Sequence, residues 1–578
     1  MSLSSERGRL PAWLRLLPYS LVVAVIASVV VNAARSTGDD QAVPPGSSLP
    51  EPATSSTVSP GGSEISGSST TTWSETSVTT SLPTPGFGPN CDERTGRVRL
   101  PIASAPPCIQ PWLGGDAGAT AGGVTSTEIV VAVYETQVNP AMRGVLAGMG
   151  ASIDSPQSAQ ARDDYGTVFE SVTETYGRSV RFVPLPASGL PTDVVAARND
   201  AIRAAEDIGA FAVLGGPVQT TAFAEELAAR GVVCLSCATA PSVALTTALE
   251  PYVVSVAMAP DQLAAHLAEF VVGQLAGRPA SRAGGALATE PRSFGLVSVE
   301  RGGGPGTGSF DLAAELEARG VELTEVVSYA SDPTAANDQA ATMVLRLKDA
   351  GVTSVLVSAD PITLGPLTRA ATAQDWYPEW ILSGALLADS TFIGRTYDQR
   401  QWASAFGLTT RPVPRDPSAG SDAAVALYEW YFGTAPPIEN SQATAIVASL
   451  SLLYGALTLA GPELTAESFR DGLFQIDVPS SGPWEPSITF GSAVWPYADY
   501  FGVDDVTLIW WDPEAEAVDE LGRSGRGAFR FVDGGRRYLP GAWPSAPFSP
   551  SPDDPLRLEV TGAPTPQYDP PPTAPSEG

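Results

Sequence analysis

Short apolar runs alternate with helical patterns through the middle of the chain. Residues 128–134 (EIVVAVY), 180–185 (VRFVPL), 211–216 (FAVLGG) and 231–236 (GVVCLS) are rich in β-branched residues and predict strands. The stretches DVVAARNDAIRAAEDIG and TTAFAEELAARG between them carry apolar residues at helical spacing. Strands and helices in alternation predict a parallel sheet with helices on both faces.

The same pattern begins again after a loop rich in Gly and Ala, with FGLVSVE at 294–300 as its first strand. The sequence therefore predicts an α/β fold of two doubly wound parallel-sheet lobes within residues 91–478. Lobe 1 is expected at about 123–280 with part of 440–478, and lobe 2 at about 290–435. Residues 479–578 are expected to form a C-terminal extension with β-hairpins and a Pro-rich disordered tail.

The N-terminal segment, residues 1–36, carries a membrane signal. Residues 16–34 are uncharged and follow Arg7, Arg9 and Arg15, and as a helix they would extend about 28 Å, enough to span a bilayer. The arginines place that end in the cytoplasm and the rest of the chain outside. An uncleaved anchor is one interpretation. A cleaved signal peptide is the other, because Val31 and Ala33 fit the small-x-small pattern that precedes a cleavage site.

Residues 37–90 are dominated by Ser, Thr, Pro and Gly. The segment has too few apolar side chains to offset the entropy lost on ordering the chain. It is therefore predicted to be a disordered linker.

Charge narrows the possible partners. The formal net charge is −30, and Lys348 is the only lysine. Because no basic face can form, nucleic acid is not expected as a partner.

Four stretches in order resemble the type I periplasmic binding fold, and within it the leucine, isoleucine and valine type of solute-binding protein. They are GVTSTEIVVAV at 123–133, AVLGGPVQTTAFAEELAARGVVCLSCATAPSVALT at 212–246, RLKDAGVTSVLVSADPITLGPLTRAATAQDW at 346–376, and NSQATAIVASLSLLYGALTLAGPELTAESFRDGL at 440–473. The last includes an apolar run that we interpret as a buried helix. The resemblance implies a ligand site in the cleft between the lobes.

Carried over position by position, the resemblance implies a set of ligand-binding residues. Free backbone N–H groups at the helix start near Thr220 and Thr221 would also favour binding of a carboxylate. Ordinary capping of the helix by these two threonines explains their presence equally well. The set in lobe 1 is Gln219, Thr220, Thr221, Ala238 and Thr239, and the set in lobe 2 is Gly306, Thr307 and Gly384.

The second lobe departs from amino-acid-binding relatives of this family. RGGGPGTGS at 301–309 has no tyrosine, LSGALLADS at 382–390 has leucines where an acid is expected, and Asp389 is out of register. Because the groups that would hold an ammonium are missing, a free amino acid is not expected, and the helix start near Thr220 favours a carboxylate or a neutral polar ligand with an apolar body.

Other chemistries fit less well. The glycines at 301–309 lack the lysine of a phosphate loop, since Ser309 stands in its place. His266, the only histidine, is expected on a helix surface, and no acids converge as a catalytic pair. We expect no enzyme activity, cofactor or metal.

Four cysteines outside the cell allow three pairings. Cys91 with Cys108 is the favoured disulfide. Cys234 and Cys237 are spaced as in a dithiol redox centre, but an extended strand separates them too far for a bond, so packing or pairing elsewhere is expected.

The expected function is extracytoplasmic capture of a small organic ligand for an ABC-type importer. The alternative is an extracellular sensing or envelope-interaction module that is not coupled to transport.

Overall fold

A computed structural model describes residues 87–575 apart from 138–155, 192, 218–219, 238–240, 301–311, 331–334, 386, 415–422, 439, 479–481, 484, 521 and 559–567. The N-terminal segment and the linker up to residue 86 lie outside the described residues.

The described strands, in chain order, are β1 (Cys91–Asp92), β2 (Arg97–Val98), β3 (Glu128–Glu135), β4 (Ser179–Pro186), β5 (Ala212–Leu214), β6 (Val233–Leu235), β7 (Val253–Val254), β8 (Phe294–Glu300), β9 (Glu325–Ala330), β10 (Ser354–Ser358), β11 (Glu379–Leu382), β12 (Ala405–Thr409), β13 (Asp477–Val478), β14 (Ile488–Thr489), β15 (Val506–Val518), β16 (Ser524–Phe531) and β17 (Arg537–Tyr538). The described α-helices are α1 (Pro156–Glu170), α2 (Val194–Ile202), α3 (Ala222–Ala229), α4 (Val243–Ala248), α5 (Pro260–Phe270), α6 (Leu312–Ala318), α7 (Ala336–Asp349), α8 (Pro361–Ala373), α9 (Thr391–Gly394), α10 (Gln399–Trp402), α11 (Ala423–Phe432), α12 (Asn440–Ala460) and α13 (Ala466–Leu473).

The first lobe is built on a five-stranded parallel sheet in the order β4-β3-β5-β6-β7. Six of the eight residues of β3 are buried, because helices cover both faces of the sheet and a β-branched run suits both sides. The helices start at local signals: Asp193 caps α2 by accepting from the N–H groups of Val195 and Ala196. The predicted doubly wound lobe is present.

The second sheet has the order β16-β15-β12-β11-β10-β8-β9. Strands β8 to β12 are parallel, whereas β15 pairs antiparallel with both β12 and β16. The C-terminal hairpin expected as a separate extension therefore continues the sheet of lobe 2. Its hydrophobic residues explain the placement, since Ile509, Trp511 and Phe529 are buried in the same core as Val355.

The lobe boundaries differ from those expected. Helix α5 was expected in lobe 1, but Leu267 and Phe270 pack with Leu356 of lobe 2. Helix α11 was expected in lobe 2, but Leu427 and Tyr428 lie in the core of lobe 1. The boundaries at 280 and 435 are therefore wrong, because each helix buries its apolar face against the other sheet.

Helix α12 belongs to the first-lobe core. In the described part of the chain, residues 442–460 form the one helix long and apolar enough to cross a membrane. Leu450, Leu453 and Tyr454 are fully buried against the first-lobe sheet and its helices. The prediction of a buried helix is confirmed.

Two chain segments pass between the lobes side by side, 255–259 after β7 and 499–505 before β15. Ser255 donates its N–H to the Tyr500 carbonyl (2.9 Å) and accepts from the Gly502 N–H (2.9 Å), and Val503 donates to Val256 (3.1 Å). We call these paired segments the interlobe connection.

His266 is buried beside this connection, so its expected place on a helix surface is wrong. Its Nδ1 accepts from the Trp543 indole N–H (3.3 Å), which leaves Nε2 to donate to the Asp504 carbonyl (2.9 Å). Burial lowers the pKa of His266 to about 4, so the imidazole is neutral near pH 7.

Part of the Pro-rich tail is ordered, contrary to expectation. Residues 568–575 lie against α11, where the Trp430 indole N–H donates to the Tyr568 carbonyl (2.7 Å). The Tyr431 hydroxyl donates to the Thr573 carbonyl (3.3 Å), and the Tyr568 hydroxyl donates to Asp92 (2.9 Å). Aromatic side chains with donors near proline-rich backbone explain why this segment is held.

Candidate ligand-binding site

In lobe 1 the candidate site lies at the carboxyl ends of β5 and β6, neighbouring parallel strands. Residues 215–217 follow β5, and we call them the 215–217 loop. Gly215 has a φ of +71° and donates its N–H to the Leu235 carbonyl (3.1 Å). A side chain at Gly216 would collide with the carbonyl of Cys237. The loop and the turn after β6 are therefore packed backbone against backbone, which only glycine permits.

The turn after β6 holds a disulfide between Cys234 and Cys237, with Cα atoms 5.4 Å apart. The expectation that these cysteines could not pair is wrong. Ser236 has a φ of +53°, so the chain reverses immediately after the strand and the two Cα atoms come within disulfide range. The other disulfide joins Cys91 to Cys108, with Cα atoms 5.6 Å apart, which is the pairing favoured from the sequence.

Helix α3 begins at Ala222, and the four residues 218–221 separate it from the 215–217 loop. The Thr220 hydroxyl accepts from the Ala222 N–H (3.2 Å), and the Thr221 hydroxyl donates to Glu225 (2.8 Å). Only the Thr220 hydroxyl accepts from a backbone N–H at the helix start, whereas Thr221, at the N-cap position, makes no side-chain capping bond. The first N–H groups of any α-helix lack partners within the helix and carry a positive partial charge, so this end can also bind an anion.

In lobe 2 the corresponding edge is formed by β9, β10 and β11. Asp360 follows β10, and its carboxylate accepts from the Tyr329 hydroxyl (2.5 Å) and from both the N–H (3.0 Å) and the hydroxyl (2.9 Å) of Thr363. Burial and the neighbouring Asp360 raise the pKa of Tyr329, so this phenol remains protonated. This cluster was not among the residues predicted from the sequence, although an acid directly between a strand and Pro361 is a recognisable helix-start signal.

Gly384 and Asp389 lie beyond β11. Gly384 has a φ of +80°, and an added Cβ would lie 3.3 Å from the Leu408 carbonyl oxygen, so the position requires glycine for the turn itself. Asp389 is buried, accepts from the Thr409 hydroxyl (2.5 Å) and pairs with Arg411 (3.5 Å). Burial raises the pKa of Asp389, and Arg411 opposes that shift. Because Asp389 is already engaged, the structure gives no reason to count it as an ammonium ligand.

An apolar side chain stands near the same edge. Leu387 is 51% exposed and has a φ of +65°. Exposed leucine beside polar backbone is a feature that suits a ligand with an apolar body.

The remaining expected residues, Gln219, Ala238, Thr239, Gly306 and Thr307, lie outside the described residues. Of the predicted set, Thr220, Thr221 and Gly384 can therefore be located. Each of them lies at a carboxyl end of a parallel sheet, where open α/β folds bind ligands.

A separate pocket of about 370 Å³ lies at the amino ends of β3 and β4, beside α1. Arg181 and Glu128 pair there (2.8 Å). This is the opposite edge of the first-lobe sheet from the candidate site. Among the described residues, no cluster of His, Cys, Asp or Glu could hold a metal ion.

The family model described as periplasmic binding protein matches residues 166–493, more than half of the 578-residue chain. The chain belongs to this family. The match runs through strands of both sheets and includes residues 255–259 of the interlobe connection, in agreement with the type I fold of two lobes. Members of the family bind small solutes outside the cytoplasm for ABC transporters.

Solved structures similar to this periplasmic binding protein include an ABC transporter solute-binding protein from Rhodopseudomonas palustris with 3,4-dihydroxybenzoic acid (14% identity, 69% of this chain and 97% of that one, TM-score 0.44). Others are a fatty acid ABC transporter substrate-binding protein from Thermomonospora curvata (16%, 74% and 98%, TM-score 0.45) and a leucine-, isoleucine-, valine-, threonine- and alanine-binding protein from Brucella ovis (13%, 75% and 99%, TM-score 0.44). No curated protein matches the sequence.

Proposed function

We propose that this protein captures a small organic ligand in the cleft between its lobes and delivers it to an ABC-type importer. The observation that carries the proposal is the family match across both lobes. The two parallel sheets, each with a polar edge at its strand ends, support the position of the site. Residues 1–36 would anchor or export the protein, and residues 37–90 would tether it.

The ligand is a carboxylate, or a neutral polar molecule, with an apolar body. The start of α3 favours a negative group, and Leu387 is exposed at the edge of lobe 2. Asp389 is engaged by Arg411 and Thr409, and Asp360 by Tyr329 and Thr363. A buried ammonium group without an acid of its own costs several kcal/mol, so free leucine or valine should bind poorly.

The test is a thermal-shift screen of metabolites on folded protein, joined with native mass spectrometry for a co-purified ligand. A ligand that binds only the folded state raises the melting temperature by mass action. The proposal expects a shift with monocarboxylates that have aromatic or aliphatic bodies. No shift across a wide screen, or tight binding of leucine, would contradict it.

Thr239 is the residue on which the ligand site can be tested most sharply. If the Thr239 hydroxyl bonds the ligand, as the family resemblance implies, Thr239→Val should weaken binding by about 1–3 kcal/mol through loss of that hydrogen bond. Thr247→Val is a matched control, because Thr247 is exposed on α4 and its hydroxyl bonds only the Val243 carbonyl. Calorimetry with the ligand found in the screen decides the question, and equal affinity of the Thr239 variant and the parent would refute the role.

A further inference from the structure

We propose that the Cys234–Cys237 disulfide positions the 215–217 loop and, through it, the candidate ligand-binding residues Thr220 and Thr221 at the start of α3. This inference rests on the proposed function and assigns to a pair of buried cysteines a role in binding. The disulfide holds the turn after β6 in the one conformation against which the 215–217 loop can pack, and that loop leads into the start of α3.

The packing at the turn leaves little freedom. The Gly215 N–H donates to Leu235 in the strand that carries Cys234, and Gly216 lies against the carbonyl of Cys237. Leu235, the neighbour of Cys234, and Cys237 itself therefore both contact this loop. A shift of Cys237 must move the 215–217 loop, because the contact at Gly216 is between backbone atoms.

The turn is also an unfavourable backbone conformation for the residue it contains. Ser236 has a φ of +53°, which a residue other than glycine adopts only when its surroundings enforce it. Its N–H donates to the Val254 carbonyl (2.7 Å), and its hydroxyl accepts from the Val256 N–H in the interlobe connection (3.2 Å). The disulfide is the covalent part of this arrangement.

A contribution to overall stability explains the disulfide less well. Cys234 and Cys237 are three positions apart, whereas Cys91 and Cys108 are seventeen apart. A disulfide restricts the unfolded chain less when the loop it closes is shorter. Both cysteines are buried members of an apolar core that also contains Phe223 and Val213. The effect of the Cys234–Cys237 bond is therefore local, at the turn and the loop that it contacts.

The two disulfides allow a matched experiment. Variant one is Cys234→Ala with Cys237→Ala, and variant two is Cys91→Ala with Cys108→Ala, both in the full chain. Hydrogen–deuterium exchange is measured for peptides that cover 214–217 and 235–237. Binding is measured by calorimetry with benzoate, 4-hydroxybenzoate and octanoate as probes.

Variant one should raise amide exchange in these peptides and weaken binding by about tenfold, with a small change in melting temperature, because the loop must be ordered at the moment of binding. Variant two should lower the melting temperature more and leave both exchange in these peptides and affinity unchanged. A general loss of stability could not produce this contrast between the two variants.

A third variant, Gly216→Ala, covers the case in which variant one does not fold. Gly216→Ala keeps both disulfides and forces the loop away from Cys237, so it should reproduce the loss of affinity. Unchanged exchange in variant one, or unchanged affinity in a folded variant one or in Gly216→Ala, overturns the inference. If the parent binds none of the probes, the proposed function fails for this ligand class, while the exchange data still decide whether the disulfide holds the loop.

Discussion

At the scale of single residues, the interlobe connection is unusual for its buried carboxyl groups. Asp499, Asp504 and Asp505 are at most 2% exposed. Asp505 pairs with Arg537 (2.8 Å), whereas Asp504 accepts only through Oδ2, from the N–H and hydroxyl of Thr489. Oδ1 of Asp504 has no hydrogen-bond partner among the described residues. Of the two neighbouring acids, Asp505 is therefore balanced by a buried guanidinium, whereas Asp504 keeps one carboxyl oxygen without a hydrogen-bond partner among the described residues.

Asp504→Asn should stabilise the protein at alkaline pH. Burial raises the pKa of Asp504 to about 8 from a reference of 3.8. The folded state then binds more protons than the unfolded state between these values, so the parent loses free energy of unfolding as pH rises through about 8. Asparagine stays neutral at every pH. We therefore expect the free energy of unfolding of the variant to exceed that of the parent by about 1–3 kcal/mol at alkaline pH, and the difference to shrink towards pH 4. Urea unfolding across this range measures it.

Asp505→Asn is the matched control for that prediction. Its substitution leaves the buried guanidinium of Arg537 without its carboxylate, so it should destabilise by about 3–5 kcal/mol near neutral pH. If the difference in free energy of unfolding between Asp504→Asn and the parent does not change with pH, the raised pKa of Asp504 is contradicted.

At the scale of elements, helix α11 binds the C-terminal tail segment, which in turn contacts the start of the described chain. Its aromatic residues hold the tail segment 568–575, and Tyr568 reaches Asp92 beside the Cys91–Cys108 disulfide. Ala574 packs against the first-lobe core. The C-terminal tail and the start of the binding domain are thus fixed to the same lobe.

Removal of residues 568–578 should lower the free energy of unfolding by about 1–2 kcal/mol, through loss of these hydrogen bonds and the apolar contact. Trp430→Phe should cost about 1 kcal/mol in the full chain and almost nothing in the truncated chain, because the indole N–H then has no acceptor to lose. Denaturant unfolding of the four proteins gives the coupling. Equal costs of Trp430→Phe in both backgrounds would show that the contact is not formed.

At the scale of the whole molecule, we predict that residues 16–34 decide whether the protein stays attached to a membrane. If they remain as an anchor, the protein should stay with membranes after a high-salt wash, because burial of an apolar helix does not depend on ionic strength. Membrane fractionation and the mass of the mature N-terminus provide the measurement. A soluble mature form that begins near Ala34 would instead support a cleaved signal peptide.

Much of the architecture could be predicted from local patterns. The alternation of strands and helices and the presence of two sheets in series follow from the spacing of apolar residues, since that spacing reports which faces are covered. The burial of α12 is predicted by its Ser and Thr content and by the family resemblance. Local turn chemistry also places Thr220, Thr221 and Gly384 at strand ends. In each case the residues concerned are close together in the sequence.

The tertiary structure decided what depends on distant partners. The left-handed conformation of Ser236, whose N–H and hydroxyl bond β7 and the interlobe connection, brings Cys234 and Cys237 within disulfide range. Helices α5 and α11 carry apolar faces that fit either lobe by pattern alone, and only their packing assigns them. His266 is buried by Trp543, 277 residues away, and Asp360 is engaged by Tyr329 from another strand. Local sequence sets which surfaces must be covered, whereas the covering partner is fixed by the energetics of the complete fold.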